Sequence, residues 1–243
     1  MQRSMRAKAQ QGWTLLEIVL LILIVGLILA GVMKGQEMIT SAKVKRIAGQ
    51  LDEIRASYLG FEDRFKALPG DYAEVGLAAE CAGACLHGNG DGRIRADSTP
   101  LNGSQVHEDL LVWTHLSQSG FLKGDYRMVD GEALATEANS PKSPFSVYMQ
   151  IDFDGQYGLN GSGAPRHNLK SGAQVPIEVA AELDRKTDDG KPYKGAVQFS
   201  TFNANGATSP EEGGPLGCTT VLEVEADWNL RGGSANCGVA TLL

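Results

Sequence analysis

The chain has 243 residues and a formal net charge of −7, with 29 Asp and Glu against 22 Lys and Arg. An acidic chain without a basic patch lacks the electrostatic footprint that phosphate backbones require, so a direct nucleic-acid partner is not expected. A single apolar run is long enough to cross a bilayer, and the simplest division is one anchor and one globular head.

Residues 1–12 form a short basic leader with Arg3, Arg6, Lys8 and no acid. The chain from Trp13 onward therefore carries −10, which is −7 less those three charges. Residues 13–33, "WTLLEIVLLILIVGLILAGVM", contain one ionisable side chain, Glu17. As a helix this run spans roughly 31 Å, matching the ~30 Å hydrocarbon core of a bilayer. A charge at the centre of such a helix costs about 2.5–3.5 kcal/mol, less near the interface, so Glu17 needs a partner or a function. A cleaved secretory signal has a shorter apolar region followed by a small-residue site, for which "ILA" ending at Ala30 is a weak match. A plain single-pass anchor fits the length but offers no role for Glu17. Charge bias does not orient the helix, because Lys34, Lys43, Lys45 and Arg46 on one side balance the three leader cations on the other.

Beyond the apolar run, Ile47, Leu51, Ile54, Tyr58, Phe61, Phe65 and Leu68 recur at spacings of four and three. That stripe predicts a helix continuing to residue 68, where Pro69 and Gly70 stop it, with its second half docked on the head. Gly26, Gly31 and Gly35 either loosen the apolar half or let helices approach closely. In the head, residues 69–243, the pattern predicts a helix over 108–118 and another from Pro176 to about Lys186. Residues 145–153, 195–202 and 219–226 are rich in β-branched and aromatic side chains and predict strands. A long helix followed by strands predicts an α+β fold with an antiparallel sheet.

One head motif suggests chemistry. "HGNGDGRIRADS", residues 87–98, places Asn89, Asp91, Gly92 and Ile94 at the third, fifth, sixth and eighth positions of a calcium loop, with Asp97 as a nearby extra carboxylate. His87 and Ser98 do not fit the first and twelfth positions, and a Gly-rich turn whose Asn and Asp cap their own backbone is the favoured reading. The four cysteines, Cys81, Cys85, Cys218 and Cys237, suggest disulfides and allow three connectivities. No phosphate loop, zinc-protease signature or nucleophile elbow occurs, and Ser162 and His167 lie in a Gly-rich stretch without a supporting catalytic pattern.

The stretch "GWTLLEIVLLILIVGLILAG" resembles the N-terminus of a type IV pilin or pseudopilin precursor, with Gly12 ending the leader and Trp13, Thr14, Leu15, Leu16 and Glu17 beginning the mature chain. Trp13 stands where that family usually has Phe. The resemblance implies cleavage after Gly12 by a prepilin peptidase and methylation of the new Trp13 amine. It also implies assembly of like or homologous subunits into a helical filament through Glu17, which meets a neighbour's ammonium. The implied fold is pilin-like: leader 1–12, long helix 13–68 whose 13–33 half serves membrane and assembly, and head 69–243. "ALPGD", "GNGDGRI", "LVWTHLSQSGFLKGD" and "AAELDRKTDDGKPYKGAV" resemble blocks of a bacterial group of pilin-like proteins. Sequence-local disulfides, Cys81 with Cys85 and Cys218 with Cys237, are implied by the disulfide-bounded C-terminal region of many type IV pilins. So are an inner-membrane assembly machinery as partner, a bacterial inner-membrane location with the N-terminus cytoplasmic, a later periplasmic or surface filament, and no enzymatic role. No cofactor is expected apart from the calcium alternative. The competing reading is a single-pass anchored periplasmic binding protein or hydrolase.

Overall fold

The first element is a 51-residue helix, α1 (Leu15–Phe65). The computed structural model describes residues 14–73, 86–101, 104–158, 163–204 and 206–243. They fall into two compact units, Met1–Ser41 and Ala42–Leu243.

In the first unit every described residue up to Lys34 is exposed, including Leu15 at 84% and Leu27 at 68%. This stretch is long and apolar enough to cross a membrane, a property that a single-pass anchor shares with a signal sequence or a soluble core helix. None of its most apolar window is buried within this chain.

In the second unit α1 buries Val44, Ile47, Leu51, Ile54, Ser57, Tyr58 and Phe61, with Phe65 and Leu68 packed at the edge of the same cluster. The predicted stripe is thus the buried face. The helix ends at Phe65 rather than at residue 68, because Lys66 turns to a φ of 52° while its N–H still reaches the Glu62 carbonyl at 2.8 Å.

The head continues with a hairpin, β1 (Thr99–Leu101) and β2 (Ser104–Val106), and with α2 (Glu108–Gln118) at the predicted position. Next come β3 (Gln150–Asp154), β4 (Arg166–Lys170), α3 (Ile177–Thr187), β5 (Val197–Phe199) and β6 (Val239–Leu242). The four later strands form an antiparallel sheet of order β3-β4-β6-β5, registered by Ile151 opposite Leu169, Leu169 opposite Thr241, and Thr241 opposite Val197. Ile151, Leu169 and Val197 share one buried cluster with Ile47, Leu51, Phe61 and Trp113. The layout is α+β, as expected.

Strand boundaries depart from the sequence reading in several places, and of residues 195–202 only Val197–Phe199 are strand. Of residues 145–153, only those from Gln150 onward are strand. Ser146 takes a φ of 64° and the chain turns back, with Ser143 N–H on the Val147 carbonyl at 2.8 Å. Residues 219–226 are not a strand. Thr219 bridges Trp228 and Thr220 N–H reaches the Asp227 carbonyl at 2.9 Å, so the segment between must fold back on itself and leaves Val221, Leu222 and Val224 exposed. Conversely, β4 reads Arg-His-Asn-Leu-Lys and is central in the sheet. Its charge is compensated locally, because the Lys170 ammonium lies 3.1 Å from Asp152 and 2.6 Å from Asp154 on β3.

Cys218 and Cys237 form a disulfide across 19 residues of sequence, whereas Cys81 and Cys85 lie outside the described residues. Closing a loop of that length is worth about 3 kcal/mol in the chain-entropy model. The double variant Cys218→Ser, Cys237→Ser is therefore expected to lose about 3 kcal/mol of head stability. Urea unfolding of the full chain in detergent, followed by tryptophan fluorescence, measures it.

Candidate functional site

Two places gather the residues that the sequence marks out. The first is the start of α1. Thr14 stands just before the helix and its hydroxyl accepts the Glu17 N–H at 3.3 Å, while the Glu17 Oε2 takes the Thr14 N–H at 3.4 Å and the Thr14 hydroxyl at 3.2 Å. This is a reciprocal capping box, with the threonine before the first turn and the glutamate three residues on. The Thr-x-x-Glu spacing was readable in the sequence as such a box, and the reading missed it.

The capping interactions fall on Oε2. Among the described residues no donor engages Oε1, and no cation pairs with Glu17. The carboxylate therefore satisfies the Thr14 N–H at the start of its own helix and keeps one oxygen open. The negative charge also sits at the favourable end of the helix dipole. Gly12 and Trp13, the expected cleavage and methylation residues, lie outside the described residues.

The second place is the loop after residue 86. Asn89 Oδ1 accepts Asp91 N–H at 2.8 Å and Asp91 Oδ1 accepts Arg93 N–H at 2.9 Å, so both side chains cap their own backbone. Asp91 Oδ2 also pairs with Arg95 at 2.8 Å. Asp97 is exposed and stands outside the carboxylate group that does form, Asp71, Asp91 and Glu108, whose oxygens lie within 4.8 Å of one another. Of the two carboxylate candidates for calcium, Asp91 joins that group and Asp97 does not.

Asp71 and Glu108 hold the loop through its amides. Asp71 accepts N–H groups of Asp91 at 3.0 Å and Gly92 at 2.8 Å, and Glu108 accepts those of Asn89 at 3.0 Å and Arg95 at 3.4 Å. Glu108 stands in the first turn of α2 and is fully buried. Burial pushes its carboxyl up to about 7, and burial also raises that of Asp71.

His115, also fully buried, ties the same region together by accepting the Gly70 N–H on Nδ1 at 2.9 Å and donating from Nε2 to the Leu86 carbonyl at 3.0 Å. That pairing selects the neutral tautomer, and burial holds the imidazole down at about 4. Gly70 is required here, since its φ is 89° and a Cβ would lie 2.6 Å from the Glu108 carbonyl oxygen. His167 lies on β4 and its Nε2 accepts the Ile94 N–H at 3.2 Å, while Ser162 lies outside the described residues. His107 precedes α2 with Nδ1 2.7 Å from the Ala96 carbonyl.

Comparison with family models, curated proteins and solved structures gives no match for this chain.

The Glu108 carboxyl makes head stability depend on pH. Its folded value, about 7, lies above the ordinary 4.5, so the folded state holds a proton that the unfolded chain has released. The contribution is complete below the unfolded value and is lost as pH rises through about 7. His115, with a folded value of about 4 against 6.5, acts in the opposite sense and only below 6.5. Raising the pH from 6.5 to about 8 is therefore expected to lower the thermal midpoint, and Glu108→Gln to flatten that slope. Differential scanning calorimetry across this window checks it.

Proposed function

We propose that this chain is a structural subunit of a type IV pilus or type II secretion-like filament, a pilin or minor pilin that is trimmed after Gly12 and polymerises through its N-terminal helix. The observation that carries the reading is Glu17. It is the one charged side chain in an exposed apolar stretch of α1, set three residues after the helix-capping Thr14, with one carboxylate oxygen left open. The helix begins at Leu15, so a cut after Gly12 leaves its cap intact. The freed ammonium at Trp13 is then available to the open Glu17 oxygen of a neighbour. Both charges are compensated within an apolar bundle, and removing either partner of such a pair costs about 3–5 kcal/mol. The Cys218–Cys237 disulfide agrees with an exported head.

In this reading the chain resides in the bacterial inner membrane with its N-terminus cytoplasmic. Prepilin peptidase and the assembly machinery act on it there, and it leaves for a periplasmic or surface filament. The pilin-like head is a display and contact module rather than an enzyme. A second reading, a single-pass anchored periplasmic protein that does not polymerise, draws support from the capping box, which gives Glu17 a partner within its own helix.

Coexpression with a prepilin peptidase separates the two. The first reading expects intact mass to fall by that of residues 1–12, and the second expects no change. Glu17→Ala is expected to spare membrane insertion and to eliminate the subunit from sheared filaments, scored by immunoblot of the membrane and filament fractions. Equal incorporation of the variant defeats the filament reading.

A further inference from the structure

Ile151 and Leu169 turn into the main core, so strand alternation puts Asp152, Asp154, Asn168 and Lys170 together on the other face of β3 and β4. Ala240 and Leu242 of β6, opposite Lys170 and Asn168 in register, are buried there with Tyr157. Lys170 is 3% exposed, Asn168 is wholly buried, and the Asp152 and Asp154 side chains are each 14% exposed. The Lys170 ammonium lies 2.6 Å from Asp154 Oδ2, 3.1 Å from Asp152 Oδ2 and 5.5 Å from the centre of the Phe202 ring.

The two carboxylates are not equivalent. Asp154 Oδ1 accepts the Gln156 N–H at 3.0 Å and the Asn168 side-chain amide at 3.2 Å, which leaves Oδ2 to the ammonium. Asp152 Oδ1 accepts the N–H of Phe153 at 2.9 Å. At Asp154, therefore, one oxygen is held by two donors, as the oxyanion of an acyl transfer is held, while the other faces a nitrogen. A nitrogen 2.6 Å from Oδ2 is within about 4 Å of Cγ, close to the range from which attack proceeds.

We propose that Lys170 and Asp154 condense to an isopeptide cross-link between β4 and β3, with Asp152 carrying the proton. The ammonium passes one proton to Asp154 Oδ2. The amine so formed attacks Cγ and makes the C–N bond, while charge develops on Oδ1 against Gln156 and Asn168. Asp152 Oδ2 takes a proton from the nitrogen and delivers it to Asp154 Oδ2, and the Cγ–Oδ2 bond breaks to release water. The three protons of the ammonium end as one amide N–H and two on the water, and Asp152 ends as the carboxylate it began as. No oxidant or activating group is needed. Free amines and acids do not condense in water, but groups held in register reach effective molarities of about 10⁵–10⁸ M, and the burial of Lys170 limits the water that would reverse the step. The cross-link lies within the head and does not depend on whether the chain polymerises.

Mass spectrometry of the reduced full chain, expressed without a prepilin peptidase and purified in detergent, tests this. The expected mass is one water below that of the sequence, with fragmentation of proteolytic peptides placing an amide between Lys170 and Asp154. Lys170→Arg keeps a cation but offers no amine, and is expected to show the unmodified sequence mass. Asp152→Ala removes the proton carrier and is expected to slow cross-linking of newly made chain by roughly a hundredfold or more. A wild-type chain with the full sequence mass and a free Lys170 amine overturns the proposal without recourse to any variant. So does an amide formed on Asp152 in place of Asp154, or cross-linking of Asp152→Ala at the wild-type rate.

Discussion

The constraint on which the rest depends is that α1 carries a run of apolar side chains its own chain leaves uncovered. From Leu15 to Met33 the described side chains are exposed, and Glu17 is the only charge among them. Burying a Leu or Ile is worth about 1.5–3 kcal/mol, so a run of this length must be covered by lipid or by other helices. A carboxylate in that run is compatible with either environment only when its charge is met. The capping box meets part of that need from within the helix, and the open oxygen leaves the rest to a cation from elsewhere. Under the proposed function that cation is a neighbour's processed N-terminus, and the same glutamate both starts the helix and sets its register among others.

Around the Gly-rich loop, buried polar side chains are met by backbone groups. Asp71 and Glu108 each collect amide donors from residues 89–95, and His115 bridges Gly70 to Leu86. The segment after α1, the Gly-rich loop and the start of α2 are thereby locked together, and Ile94 of the loop is buried in the main core. The loop's own Asn89 and Asp91 act as turn formers, which is the chemistry their spacing favoured over ion binding.

What was legible in the sequence was whatever repeats with a period or is marked by a cap. The stripe from Ile47 to Phe61 and the helix Glu108–Gln118 announce themselves through apolar spacing and a Gly stop. The sheet was read less well, for identifiable reasons. β4 hides in Arg-His-Asn-Leu-Lys because its lysine is neutralised by two aspartates that only pairing with β3 brings near. Residues 219–226 look like a strand because they are rich in β-branched side chains, Thr219, Thr220, Val221 and Val224, yet the Thr219–Trp228 bridge forces them to turn. Asp71 and Glu108 went unnoticed because nothing local links them to residues 89–95.

The surroundings of Glu17 in assembled filaments test the central claim most directly. A cryo-electron microscopy map at side-chain resolution is predicted to show chains beginning at Trp13, with its amine at ion-pair distance, within about 4 Å, of a neighbour's Glu17 carboxylate. Filaments whose subunits retain residues 1–12, or in which Glu17 meets only its own Thr14 and faces lipid or solvent, would contradict the account.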